Sequence, residues 1–219
     1  MIKKERFRLF IEYFSEYMPE AETELEHEDP YELVVATILS AQCTDKRVNM
    51  ITPDFFRKFP DVRSLSQATV GDVFELIKSC SYPNNKSKHL IGMAKALMER
   101  FEGIVPSDVE ALQTIPGIGR KTANVIASVI YNVPVLAVDT HVFRVAARIG
   151  LTSGARTPLQ TELQLTKNIP QEKIPLAHHW LILHGRYICQ ARKPKCEECG
   201  IKSFCKYYER MNGSKNYGQ

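Results

Sequence analysis

Nowhere does the chain stay apolar for the roughly 18 residues that a bilayer-spanning helix needs. Its first residues, Met1-Ile2-Lys3-Lys4-Glu5-Arg6, lead into an amphipathic pattern and do not read as a secretory leader. These absences predict a soluble, cytoplasmic protein with no membrane partner. There is no internal repeat and no low-complexity tract. Strand patterning is almost wanting too. The one short apolar run of that kind, Val135-Leu136-Ala137-Val138, is isolated and reads as a buried extended link. Lysine and arginine are missing from residues 16–32, which hold eight acidic side chains, whereas residues 186–219 hold eight Lys/Arg against three Glu. The net charge is only +4, so this asymmetry, more than the total, suggests a basic face for a polyanion.

What is present is enough for a real core. At 219 residues, 44% apolar and 25% charged, the chain suits one large or two small globular domains. Helical periodicity runs through almost all of it. Residues 4–17 place Phe7, Phe10, Ile11 and Phe14 on one face, and an acidic loop over 20–28 follows. Asp29 then predicts an N-cap with Pro30 at the first helical position, opening a helix from Tyr31 to Ala41. Thr44 predicts a cap for a helix toward Lys58, which Pro53 is expected to kink or divide. A helix around 70–79 comes next, then a break at Ser81-Tyr82-Pro83-Asn84-Asn85 and a helix over 86–101 stopped by Gly103. Ser107 and Glu110 have capping-box spacing. Further helices are predicted from Asp139-Thr140 to Gly150, from Thr157-Pro158 to about Asn168, and over 172–188.

The most informative stretch joins two of these helices: Leu112-Gln113-Thr114-Ile115-Pro116-Gly117-Ile118-Gly119-Arg120-Lys121-Thr122-Ala123. Pro116 and Gly117 stop the first helix, and Gly119 is expected to hold a backbone conformation that residues with a Cβ avoid. The second helix opens at about Arg120-Lys121. A helix start preceded by glycines presents backbone N–H groups without a capping acceptor, a setting that favours a phosphate. Lys121 is in the wrong place for helix stability, since the positive end of the dipole repels it. An amine in such a place suits nucleophilic chemistry. Taken alone, a short Pro-Gly-Ile-Gly turn with a solvated lysine is equally common.

Four of the six cysteines, Cys189, Cys196, Cys199 and Cys205, fall within seventeen residues in a C-x6-C-x2-C-x5-C pattern. In a reducing compartment such clustering points to metal and not to disulfides. Four thiolates hold either tetrahedral zinc or an iron–sulfur cluster, and spacing by itself leaves both open. Cys43 and Cys80 lie near apolar helical faces and read as small core residues. His141, His178, His179 and His184 read as packing or hydrogen-bonding groups.

Taken together, these motifs resemble the endonuclease III family of helix-hairpin-helix DNA glycosylases over nearly the whole chain. The resemblance rests on Leu39-Ser40-Ala41-Gln42-Cys43-Thr44-Asp45, on the hairpin, on Val138-Asp139-Thr140-His141-Val142-Phe143-Arg144-Val145, on Leu183-His184-Gly185-Arg186-Tyr187 and on the cysteine spacing. It implies an all-α fold: a six-helix barrel domain over 23–133, with the hairpin, and a cluster-binding helical domain from 1–22 and 134–219. It also implies a [4Fe-4S] cluster on the four cysteines and a bifunctional DNA glycosylase and AP lyase of base excision repair. Such an enzyme removes oxidised pyrimidines as a monomer, acting on double-stranded DNA with damaged or abasic sites, at the nucleoid if the source is bacterial. By motif match Lys121 is the nucleophile and Asp139 the second catalytic residue, although Asp139 also reads as a helix cap. Gln42 is implied to fill the gap left by the extruded nucleotide. Where the family usually has Gly-Leu-Tyr-Asn, this chain has Ser81-Tyr82-Pro83-Asn84, and Tyr82 becomes the candidate for stacking on the orphan base. Gly117, Ile118, Gly119 and Arg120 of the hairpin are implied to grip a phosphate. Arg192, Lys193 and Lys195, in the basic loop between Cys189 and Cys196, are implied to touch others. Two rivals are an adenine-mismatch glycosylase, whose branch lacks the hairpin lysine, and a DNA-binding iron–sulfur protein without catalysis.

Overall fold

The computed structural model describes residues 1–213, and no strand occurs among them. Lys215, one of the basic residues of the C-terminal stretch, lies outside the described residues. The helices are α1 (Lys3–Tyr17), α2 (Pro30–Ser40), α3 (Asp45–Lys58), α4 (Val62–Ser66), α5 (Val70–Ile77), α6 (Pro83–Phe101), α7 (Val109–Gln113), α8 (Arg120–Tyr131), α9 (Thr140–Ile149), α10 (Pro158–Thr166), α11 (Ile174–Tyr187) and α12 (Lys206–Gly213). Single 3-10 turns precede α11 and α12. Among the described residues no helix is long and apolar enough to cross a membrane. The chain divides into two compact units, one of Thr23–Val133 and one of Met1–Glu22 with Pro134–Gln219.

The 23–133 unit is organised around α2. Asp29 opens that helix by accepting from the Glu32 N–H, and Pro30 occupies a first-turn position that has no donor to lose. All residues from Leu33 to Leu39 are buried, because α3, α6 and α8 pack around the helix. Thr44 caps α3 through the Arg47 N–H. Pro53 does not divide α3. It lies on the exposed side, while Val48, Ile51, Thr52 and Phe55 hold the opposite face in the core. The long α6 buries Leu90, Met93, Ala94 and Leu97 against α2, α4 and α5. It begins at Pro83, inside the stretch expected as a break, because Tyr82 takes the N-cap position. The cap of α7 is Asp108, which accepts from the Ala111 N–H at 2.7 Å; the expected Ser107 cap is one residue too early.

The other unit packs α1 on α11 and α11 on α9. Phe10 and Phe14 of α1 meet Trp180 of α11, with ring centroids 5.9 and 5.8 Å apart. The Trp180 indole N–H donates to the Met18 carbonyl at 2.7 Å, so this large side chain is fully buried with its one donor satisfied. Val142, Val145, Ala146 and Ile149 of α9 complete the cluster. Val135–Val138 forms no strand; Leu136, Ala137 and Val138 are buried as an irregular link leading to Asp139.

Candidate functional site

In the hairpin between α7 and α8 the left-handed residue is Gly117, at φ +83°. The expectation placed that demand on Gly119, and the structure corrects it. Gly119 is extended (φ −88°, ψ 176°), serves as the N-cap of α8, and would meet nothing within 4 Å if it carried a Cβ. Gly117 is the crowded one: a Cβ there would lie 2.9 Å from His89 Cβ on α6. Gly119 makes no side-chain cap, so the first turn of α8 receives no acceptor from the usual Ser, Thr or Asp. Arg120 and Lys121 are exposed in that turn. Ile118 is 4% exposed and anchors the loop in the core, which leaves its main chain as the part able to touch a ligand. The loop is fixed from outside as well: Arg100 donates to Thr114 Oγ1 and to the Thr114 carbonyl at 3.0 and 3.1 Å. Gly92 of α6 admits the Pro116 ring, which a Cβ there would approach to 3.1 Å.

The turns of Gln42 and Tyr82 are brought together. Both residues are exposed and both take left-handed backbone conformations, at φ +54° and +55°. Ser81 Oγ donates to the Gln42 carbonyl at 2.6 Å. Lys86, only 4% exposed, donates from Nζ to the carbonyls of Leu39 and Ala41, both at 2.8 Å. It thereby satisfies carbonyls at the end of α2 with a charged donor. Burial holds the Lys86 ammonium below its ordinary lysine range. Neither Ser81 nor Lys86 stood out in the sequence. The signal was there for Lys86: it precedes Leu90 by four residues and so lies on the apolar stripe of α6.

Asp139 belongs to the other unit. One carboxylate oxygen accepts from the backbone N–H groups of His141 and Val142, both at 2.8 Å, and the other lies 3.1 Å from His141 Nδ1. The predicted cap of α9 is therefore real. The carboxylate is held in one orientation, with 15% of the side chain exposed.

The four clustered cysteines line one pocket, with Ile149, His184 and Ile201, that is partly open to solvent. Burial, then the neighbouring thiols, push Cys199 up to about 11, and burial is also the leading cause of the rise at Cys196 and Cys205. Such mutually repelling groups call for a cationic centre that takes them all as thiolates. Among the described residues no three or more His, Cys, Asp or Glu side chains are arranged to hold a single metal ion. Four thiols lining one pocket supply the donor set that a four-iron cluster takes. The frame is built by arginines the sequence reading passed over. Arg148 donates to the carbonyls of Gln190 and Ala191 at 2.7 and 2.8 Å and lies 3.5 Å from Cys189 Sγ. Arg144 holds the Cys189 and Gly185 carbonyls at 3.2 and 2.9 Å. His184 Nε2 lies 3.7 Å from Cys199 Sγ. A Cβ on Gly200 would run into the Tyr13 ring. Arg192, Lys193 and Lys195 are exposed on the loop that Arg148 fixes.

A helical hairpin whose second helix has a glycine N-cap, in a chain that also holds a four-thiol pocket, defines a class of DNA-repair protein. Residues 35–171 match the family model described as HhH-GPD superfamily base excision DNA repair protein, and residues 189–205 match the iron-sulfur binding domain of endonuclease III. Endonuclease III of Rickettsia conorii is 45% identical over 90% of this chain and 93% of its own length; that of Bacillus subtilis is 39% identical over 94% of each. A solved structure of a trapped endonuclease III–DNA covalent intermediate superposes with a TM-score of 0.90 at 36% identity, over 97% of this chain and 100% of that one. The chain belongs to the endonuclease III family, enzymes of base excision repair, and carries a [4Fe-4S] cluster.

Proposed function

We propose that Lys121 is the nucleophile of a DNA glycosylase and AP lyase that acts on oxidised pyrimidines in duplex DNA, as a monomer in the cytoplasm. The observation that carries the reading is the start of α8. Lys121 is exposed in the first turn, one residue beyond Arg120 and two beyond a glycine N-cap that offers no acceptor. A DNA phosphate accepted by that turn places the sugar within reach of the amine. The Lys121 amine attacks C1′ and the C1′–base bond breaks, the base leaving with a proton. The new amine loses its extra proton, the C1′–O4′ bond breaks with O4′ taking a proton to open the sugar, and the resulting iminium acidifies the C2′ proton. Loss of that proton expels the 3′ phosphate and cuts the strand by β-elimination. Asp139 has a fixed carboxylate, suited to balancing the positive charge that develops on the sugar and to moving protons. Its capping bonds set its orientation and do not compete with that role.

Gln42 and Tyr82 are the side chains that replace the extruded nucleotide, with Tyr82 giving about 1–3 kcal/mol by stacking on a base. Gly117, Ile118, Gly119 and Arg120 contact a phosphate mainly through the main chain. Cys189, Cys196, Cys199 and Cys205 would hold the cluster, which when bound ties four points of the chain together. Arg144 and Arg148 keep the loop between the first two cysteines in shape, so Arg192, Lys193 and Lys195 reach phosphates from a fixed frame.

The test is borohydride reduction on DNA with an abasic site. The wild type should give a covalent adduct and Lys121→Gln none. Because Lys121 is exposed, the substitution should change stability by less than about 0.5 kcal/mol. Absence of an adduct from the wild type would refute the lyase reading and leave a DNA-binding iron–sulfur protein.

A further inference from the structure

The turns of Gln42 and Tyr82 also bring together two cysteines outside the 189–205 set. Cys43 and Cys80 are free thiols, Cys80 buried and Cys43 half-buried, and they adjoin Gln42 and Ser81, whose carbonyl and hydroxyl are bonded at 2.6 Å. Each follows the end of a helix: the Cys43 N–H donates to the Ser40 carbonyl at 3.0 Å and the Cys80 N–H to that of Ile77 at 2.8 Å. The backbones carrying them are clamped by the Ser81–Gln42 bond and by Lys86 on Leu39 and Ala41.

We propose that Cys43 and Cys80 form an oxidisable dithiol, a modification site at which a peroxide closes a disulfide across the Gln42 and Tyr82 turns. Cys43, the more open sulfur, gives up its proton and attacks the peroxide. An S–O bond forms, the O–O bond breaks, and the departing hydroxide takes a proton and leaves as water. Cys80 then loses its proton and attacks the sulfenic sulfur; the S–S bond forms, the S–O bond breaks and a second water leaves. Two thiols are oxidised by two electrons while one peroxide becomes two waters. The Lys86 ammonium favours the Cys80 thiolate when that sulfur attacks. Burial raises the Cys80 thiol and keeps it from the peroxide, which suits the resolving role, while the more open Cys43 meets the oxidant first.

The chemical step does not depend on the proposed DNA contacts, but its consequence rests on them. Drawing the sulfurs together must shift the strained turns that carry Gln42 and Tyr82, and a misplacement of about 1 Å in such machinery costs up to about 10²-fold. The experiment treats the cluster-loaded enzyme with hydrogen peroxide, blocks remaining thiols with iodoacetamide, and maps peptides without reduction. A Cys43–Cys80 cross-link should form, reverse with dithiothreitol, and be absent from Cys43→Ser and Cys80→Ala. No such cross-link while the cluster keeps its visible absorbance, or cross-linking to a cysteine of the 189–205 set instead, would overturn the proposal. A second arm measures affinity for duplex DNA with an uncleavable abasic analogue, expected to fall about ten-fold on oxidation and not in Cys43→Ser. A cross-link without that fall would uphold the dithiol and overturn the placement of Gln42 and Tyr82 in DNA binding.

Discussion

Gly117 and Gly119 sit two residues apart in the hairpin, and the structure gives them opposite reasons for being glycine. Alanine at 117 must adopt φ +83°, which costs an L-residue about 1–2 kcal/mol. Its Cβ would also lie 2.9 Å from His89 Cβ, a stem atom of α6 that cannot swing aside, and overpacking of this kind costs about 1–3 kcal/mol. Together these give about 2–5 kcal/mol. With a urea dependence of about 1–3 kcal/mol per molar, the unfolding midpoint of Gly117→Ala should fall by about 1–2 M. Alanine at 119 meets neither problem, since φ is −88° and the space is open. Only the weaker capping preference of alanine remains, worth about 1 kcal/mol or less. If DNA phosphate fills that space, Gly119→Ala should fold almost normally and still lose ten-fold or more in affinity for duplex DNA with an abasic analogue. Urea denaturation and fluorescence anisotropy on the same two variants check this. The reasoning fails if Gly119→Ala is as destabilised as Gly117→Ala, or if it binds DNA as tightly as the wild type.

Three further outcomes follow from the geometry of the 134–213 residues. Asp139→Asn keeps an N-cap acceptor and should fold within about 0.5 kcal/mol of the wild type, whereas Asp139→Ala should lose about 1 kcal/mol; base release should fall about 10²–10⁴-fold in both. Arg148→Met removes the donors that hold the Gln190 and Ala191 carbonyls, so visible absorbance should bleach several-fold faster in air than in the wild type. His179 is lowered from 6.5 to about 4, first by burial and then by Arg186. The unfolded chain therefore binds more protons than the fold between those values, and stability falls as pH drops from about 6.5 to about 4. At about 1.36 kcal/mol per pH unit this is about 3 kcal/mol, which His179→Gln should abolish in urea titrations at pH 7 and pH 4.

The parts of the fold that could be read from the sequence are those with a local cause. Asp29-Pro30, Thr44 and Asp139-Thr140 carry their caps within three residues, and each opens a helix at its expected place. The hairpin is equally local. What local chemistry could not rank was which of two adjacent candidates wins. Asp108 takes the cap from Ser107, because its carboxylate reaches the Ala111 N–H that a box begun at Ser107 would have missed. Gly117 both takes the left-handed conformation and is crowded by α6, and that crowding comes from His89, about thirty positions away. Pro53 is expected to kink or divide α3 because its local penalty is visible in the sequence and the burial of Val48, Ile51 and Phe55 around it is not. The five-residue α4 has too short a pattern to show a period. In the candidate site the same division holds. Lys121, Asp139 and the cysteines stand in local motifs. Lys86, Ser81, Arg144 and Arg148 act on backbone carbonyls about 39–47 residues away, and a carbonyl leaves no mark in the sequence.

Those carbonyl contacts explain why two strained turns persist. Among the described residues four non-glycine positions have left-handed backbones. Two of them, Glu102 and Asn132, end helices, where that conformation gives the closing N–H groups a carbonyl to reach. Gln42 sits in the turn just past the cap of α2, closed by the Cys43 N–H on the Ser40 carbonyl, but without the glycine such a turn favours; Tyr82 precedes a proline and starts a helix, where an extended backbone is the ordinary choice. Each therefore carries a conformational cost on the order of 1–3 kcal/mol with its side chain left exposed. The fold spends a buried lysine and a serine hydroxyl to hold them so. Strain maintained by buried donors and delivered to solvent-facing side chains is an arrangement that folding alone does not reward. It is the arrangement that the role proposed for Gln42 and Tyr82 requires, side chains standing ready to enter the space a flipped nucleotide leaves. If Lys86→Met relaxed both turns yet left abasic-site affinity unchanged, that argument would fail.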